Sequence, residues 1–246
     1  MTAATGGPVP RAVIPARERL IFAMDVPEAV AARRLAESLG DSVSFYKIGL
    51  ELFMSGGGFE LLDWMVGRDK RVFVDLKFFD VPATVAAAVR KLRNRGVTFT
   101  TVHGNQAIME AAVEAAGDVG ILAVTVLTSL DRGDLDDLGF QCEVGELVLS
   151  RARRALAAGC AGVVSSGLEA KLLRAGVDDR LIVVTPGIRP VENRPSDDQK
   201  RVMSVAEAFA AGADYIVVGR PIRDAADPHA AAEAIQATIA RQFPAR

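Results

Sequence analysis

The sequence predicts an α/β protein built as a single-domain (β/α)8 TIM barrel, and three observations carry the prediction. Short, nearly continuous apolar runs alternate with helix-period stretches about eight times, the pattern of parallel strands buried on both faces and joined by crossover helices. The length of 246 residues meets the roughly 250 that such a barrel needs, which favours closure over an open doubly wound sheet. No linker breaks the alternation, so residues 17–246 read as one domain. Residues 1–16, rich in Pro, Gly, Ala and Thr, read as a flexible tail.

The first strand is expected at residues 20–24, ending at Asp25, with Val26-Pro27 opening a helix to about residue 39. Residues 44–48 form the second strand, carrying Lys47, and a helix follows over 58–66. The third strand starts at Arg71 and runs into a charged turn. Pro82 then suits the first helical position, where its missing N–H costs nothing. Val85, Val89 and Leu92 give the next stretch a helical period, and Gly96 closes it. The fourth strand covers 97–102 and ends at His103, before a helix over 106–116. The fifth runs from 120 to 127, ending at Thr128-Ser129, with a polar turn over 131–137 and a helix over 144–158. The sixth, 160–164, leads to Ser165-Ser166 and a short helix; the seventh, 181–185, leads to Pro186 and Arg189. A polar loop over 190–198 precedes a helix through 211. The eighth strand, 215–218, ends at Gly219-Arg220, and a last helix covers 228–241.

Composition narrows the function classes. Half the residues are hydrophobic, 24% are charged, and the formal net charge is −2 with the basic residues scattered. That excludes a general nucleic-acid or membrane-surface binder. Cys142 and Cys160 sit in unrelated contexts, which argues against a disulfide framework or a zinc site and fits a reducing cytoplasm. No apolar run approaches the roughly 18 residues of a membrane helix, and residues 1–16 lack the apolar centre of a signal peptide.

The informative residues collect at one end of the expected barrel. Strand C-terminal ends all face one mouth, where active sites of this fold lie. Here they carry Asp25, Lys47, Asp75, Lys77, Asp80, His103, Thr128, Ser129, Arg189, Gly219 and Arg220. One Asp–Lys pair reads most simply as a structural ion pair. Asp75 and Lys77, two apart on a regular strand, share a face, and scattered salt bridges would not choose one end of a barrel. The alternating charges favour one another's ionised forms. A protonated lysine in a dry pocket suits stabilising an anion and then protonating it.

Gly219-Arg220 offers close backbone approach and a guanidinium that matches phosphate oxygens, at a position where barrels of this class bind phosphate. The plainer reading of Arg220 is a helix-terminus ion pair. His103 reads as a hydrogen-bonded strand-end residue before a catalyst. His229 sits at a helix start, and no cluster completes a metal set. The 56–58 glycine run reads as a turn, and Ser165-Ser166 as a helix cap.

Asp75-Leu-Lys77-Phe-Phe-Asp80-Val-Pro-Ala-Thr84 resembles the Asp-x-Lys-x-x-Asp-Ile-Pro-x-Thr signature of the orotidine 5′-phosphate decarboxylase family, in its type 1 bacterial form. Phe22-Ala-Met-Asp25, Tyr46-Lys-Ile-Gly49, Thr185-Pro186-Gly-Ile-Arg189, Asp198-Gln199 and Val218-Gly-Arg220 extend the likeness along the chain after the tail. Met24 and Val81 stand where Leu and Ile are usual, and His103-Gly-Asn departs from a small-residue run.

The resemblance implies cofactor-free decarboxylation of orotidine monophosphate (OMP) to UMP and CO2 in pyrimidine synthesis, with no metal. It implies Lys77 as the acid protonating C6, with Asp75 crowding the departing carboxylate and holding Lys77. Asp25 and Lys47 bind the ribose hydroxyls, and Lys47 also joins the charge network. Thr128 and Ser129 meet the base, Gln199, Gly219 and Arg220 hold the phosphate region, Arg189 braces the loop and ligand, and Pro186 is a further substrate-binding residue. Asp80 and Thr84 reach the neighbouring subunit's site, which implies a homodimer. Related Mg²⁺-dependent barrels acting on sugar phosphates look for a carboxylate at the second strand end, where this chain has Lys47. A silent barrel that only binds nucleotides would not need Lys77.

Overall fold

The computed structural model describes residues 13–189 and 203–244. Eight parallel strands close into a barrel in sequence order, with β1 (Leu20–Ala23) paired to both β2 (Phe45–Gly49) and β8. After β1 comes α1 (Ala29–Leu39), and after β2 the helices α2 (Leu50–Met54) and α3 (Gly58–Val66). β3 (Arg71–Phe78) leads to α4 (Pro82–Arg90), β4 (Val97–His103) to α5 (Gln106–Ala116), and β5 (Gly120–Val124) to α6 (Arg132–Asp137) and α7 (Val144–Ala157). β6 (Gly162–Val164), α8 (Gly167–Gly176), β7 (Ile182–Thr185), α9 (Val205–Ala210), β8 (Tyr215–Val218), α10 (Arg220–Arg223) and α11 (Pro228–Gln242) complete the ring. The expected barrel is therefore present, with the expected strand order.

Alternation within each strand decides what faces inward. Leu20 and Phe22 of β1 join the core beneath the helices, whereas Ile21 and Ala23 enter the barrel. The interior is packed by Phe45, Phe73, Phe99, Leu122, Val184, Tyr215 and Val217 around them. The Phe99 ring lies 5.8 Å from Phe45 and 5.6 Å from Tyr215, centre to centre, so an aromatic plug fills the barrel. Two residues beyond Phe45, Phe73 and Phe99 come Lys47, Asp75 and Thr101. The period of two thus sets polar side chains on top of the plug, at the mouth.

Some boundaries differ from the sequence reading. α6 is a helix where a polar turn was expected, and α2 and α10 are short helices at positions given no element from sequence. α6 starts at a capping box in which Asp131 and Asp134 each accept from the other's backbone N–H. α4 stops at Arg90 rather than continuing to Arg95. β5 ends at Val124, three residues early. There Thr125 turns out of the ladder, its N–H and hydroxyl both donating to the Val164 carbonyl at 3.3 and 3.1 Å. Ile14 and Ala16 pack against the cores, so packing begins within the stretch expected as tail. Among the described residues no helix is long and apolar enough to cross a membrane.

Candidate active site

The geometry of the site starts from an irregularity in β3. Its register against β4 shifts between Val74 and Phe78, and Lys77 adopts φ +50. A left-handed lysine costs about 1–2 kcal/mol, and such strain collects at functional sites. The irregularity is held by β4: the Lys77 N–H donates to the Thr101 hydroxyl at 2.9 Å instead of to a strand carbonyl. Asp75 and Lys77 do meet, as simple alternation suggested. They meet across a bulge, not along a regular strand.

Four charges form one chain of contacts over β1, β2 and β3. Lys77 Nζ donates to Asp75 Oδ2 at 2.9 Å, and Lys47 Nζ lies 3.6 Å from the same oxygen. Lys47 Nζ also donates to Asp25 Oδ1 at 3.2 Å. Asp75 Oδ1 accepts from the Thr101 hydroxyl at 2.8 Å. Burial of Asp75 works against its charge. The ammonium groups of Lys47 and Lys77, with hydrogen bonds from Lys77 and Thr101, outweigh it and hold the carboxyl below its ordinary value.

Glycines make room for this chain. A Cβ on Gly49 would stand 3.1 Å from Lys47 Nζ and 3.5 Å from Asp25 Oδ1. One on Gly219 would stand 3.3 Å from the Ala23 Cβ and 3.4 Å from Asp25 Oδ2.

The charges open into a cavity of about 210 Å³ at the mouth. Asp25, Lys47, Asp75, Lys77, Thr128, Pro186, Arg189, Gly219 and Arg220 line it, as the sequence reading grouped them. Its apolar side comes from Val124, Val126, Leu127, Val164, Ile188 and Val217. Ser129 is exposed and does not line this cavity, whereas Thr128 beside it does. Asp80 and Thr84 are exposed and also lie outside it. The Asp80 carboxylate accepts from the Val81 N–H at 2.6 Å. Gln199 and the loop over 190–198 fall outside the described residues.

His103 is half-buried, its ring 4.7 Å from the exposed Phe79 ring. Burial, then Arg151 and Lys77, disfavours its protonation. It does not line the cavity. Ser165 and Ser166 donate to the Glu169 carboxylate at the start of α8, a helix-start arrangement rather than an activated nucleophile. Among the described residues no group of three or more His, Cys, Asp or Glu could hold a metal.

Two contributors were missed from sequence. Thr101 gave no signal beyond lying two residues after an inward aromatic. Arg151 of α7 donates to the Thr125 carbonyl at 2.5 Å, bracing the turn that carries Thr128. An arginine on a helix surface gives no sequence cue to that contact.

A closed parallel barrel with two lysines and two carboxylates chained at its C-terminal mouth defines a barrel enzyme that works on a small anionic substrate. Residues 18–235 match the model of the Orotidine 5'-phosphate decarboxylase / HUMPS family. An orotidine 5'-phosphate decarboxylase of Methylococcus capsulatus is 68% identical over 232 residues, 94% of this chain and 96% of that protein. One from Stenotrophomonas maltophilia is 53% identical over 240 residues, 96% and 99% of the two chains. The crystal structure of the Lactobacillus acidophilus orotidine 5'-phosphate decarboxylase superposes with a TM-score of 0.80 at 33% identity, covering 93% of this chain and all (100%) of that one. The Pyrococcus horikoshii enzyme gives a TM-score of 0.72 at 26% identity, covering 89% and 98%. The chain belongs to the Orotidine 5'-phosphate decarboxylase / HUMPS family.

Proposed function

We propose that this chain is a carbon–carbon lyase that decarboxylates OMP to UMP and CO2, with Lys77 delivering the proton to C6. The observation that carries the reading is the Lys77–Asp75 contact of 2.9 Å in the same cavity as Gly219 and Arg220. Loss of CO2 leaves an electron pair on C6. Lys77 stabilises that charge and then donates its proton there. Asp75 stands against the substrate carboxylate, so the departing group leaves a repulsive contact, and Asp75 meanwhile holds Lys77 in line. Asp25 and Lys47 take the ribose hydroxyls. Thr128 meets the base, and Gln199, Gly219 and Arg220 take the phosphate region, with Arg189 bracing it and Pro186 adding a wall to the same cavity.

Without an electron sink, fixed charge must supply the upper end of the roughly 8–23 kcal/mol by which enzymes lower barriers. Binding of the remote phosphate is the natural source of the energy that seats the ring.

The working form is a homodimer in which Asp80 and Thr84 complete the partner's site. Phe79 and Val81 support this, being 64% and 63% exposed on either side of a carboxylate that does not line its own cavity. The catalytic unit is residues 17–246, behind residues 1–16. Free cysteines at positions 142 and 160 suit a cytoplasmic setting.

A Mg²⁺-dependent reaction on a sugar phosphate is disfavoured by Lys47 Nζ, which occupies the second strand end where a cation's carboxylate is needed. Mixing purified protein with OMP and following the loss of its ultraviolet absorbance, with and without EDTA, tests the reading. Turnover that ignores EDTA is expected. No turnover refutes it, and turnover abolished by EDTA favours the metal-dependent alternative.

A further inference from the structure

We propose that Thr101 is a positioning residue for the decarboxylation, one whose single hydroxyl assigns the two oxygens of Asp75 their separate tasks and holds Lys77 at the bulge. The inference rests on the function proposed above and deepens it. Thr101 is wholly buried (0% exposed) and does not line the cavity, so it acts through its neighbours.

The hydroxyl is used fully. Its hydrogen goes to Asp75 Oδ1 at 2.8 Å, and its lone pair takes the Lys77 N–H at 2.9 Å. With Oδ1 engaged, Oδ2 is left to both ammonium groups, at 2.9 Å for Lys77 and 3.6 Å for Lys47. The terminal torsion of an aspartate is soft and nearly two-fold. Only a fixed donor to one oxygen stops the carboxylate from swinging and taking the Lys77 ammonium with it.

The second bond serves the same end through the backbone. The β3–β4 ladder is interrupted between Val74 and Phe78, so the Lys77 N–H has no strand carbonyl to meet. The Thr101 hydroxyl stands in for one. It thereby supports the left-handed Lys77 from which the side chain reaches Asp75. The neighbouring Thr100 points the other way and donates to the Val74 carbonyl at 2.9 Å, which ties β4 to β3 just below the bulge.

The test compares Thr101→Val and Thr101→Ser with wild type, measuring kcat and KM for OMP, the pH profile of kcat, and melting temperature. Thr101→Val is expected to lower kcat about 10–100-fold, because small misplacements of reacting groups cost that much. KM should stay within about threefold, since phosphate and ribose contacts are untouched. The acidic limb of the profile should move to higher pH, as Asp75 loses a donor to its charged form. Thr101→Ser, which keeps the hydroxyl, should restore most of kcat. If the valine protein does not fold, Thr101→Ala carries the same expectation.

A wild-type kcat in a merely less stable valine or alanine variant overturns the inference, as does a serine variant as impaired as valine. Absence of turnover in wild type itself would instead sink the functional reading beneath it.

Discussion

Replacing Asp75 by Asn removes one charge while keeping size and shape, and its consequences can be worked out from the contacts. The carboxylate is nearly buried, at 7% exposed, and is the shared partner of two ammonium groups. Removing one member of a buried pair typically costs about 3–5 kcal/mol. Here the cost is smaller. The Lys47 side chain is 12% exposed but keeps Asp25 at 3.2 Å. The Lys77 side chain is 38% exposed and can turn to water. A loss of about 2 kcal/mol follows, which for a chain of this size is about 4–8 °C in Tm.

The pH dependence has a definite sign. The folded Asp75 carboxyl is held below its ordinary value, so its contribution is complete above the unfolded value of roughly 3.9. That contribution fades as pH falls through the depressed folded value. Melting both proteins from pH 8 down to about pH 3.5 should therefore show a constant gap that starts to close only at the acid end. Activity should fall by at least about 10²–10³-fold at all pH values, as for loss of a preorganised charge. An Asn variant as stable as wild type at neutral pH, or a gap that widens on acidification, would refute the assigned ionisation and pairing.

Lys77→Ala and Asp80→Ala chains, each inactive alone, should regain about one intact site per heterodimer when mixed; confirmed heterodimers without activity would reject the shared site. Arg220→Ala should lower kcat even at saturating OMP, because phosphate binding seats the reacting ring; a raised KM with unchanged kcat would speak against that. Gly49→Ala should impair turnover with little loss of Tm, since the new methyl would sit 3.1 Å from Lys47 Nζ, and steady-state kinetics beside a melt would show it. Asp214→Asn should do the reverse. Asp214 is 2% exposed, pairs with Arg174 at 2.6 Å and accepts from the Val183 N–H, so about 3–5 kcal/mol of stability should go while kcat at the mouth is retained.

The barrel was legible because its signals are local and repeated. Runs such as the Leu20–Ala23 strand are buried throughout, and Pro82 marks a helix start by its own chemistry. Short elements were harder to read. α2 and α10 cover five and four residues, too few for a helical period to declare itself. β5 was read three residues too long because Thr125, Val126 and Leu127 look like strand whether or not a ladder partner exists.

By itself the sequence determined the residue types at the mouth and their spacing by two: Lys47 after Phe45, and Asp75 after Phe73. Alternation along a strand then lifts them above the aromatic plug without help from elsewhere. What only the tertiary structure decided is how they meet. The register shift of β3 against β4, the left-handed Lys77, and the Thr101 hydroxyl between them depend on two strands lying side by side. So does the placing of both lysines on one oxygen of Asp75, an arrangement of groups from β2, β3 and β4 that no single stretch of chain contains. Spacing along a strand is a property of covalent geometry, whereas pairing between strands is settled by packing, and in this protein the charges that matter depend on both.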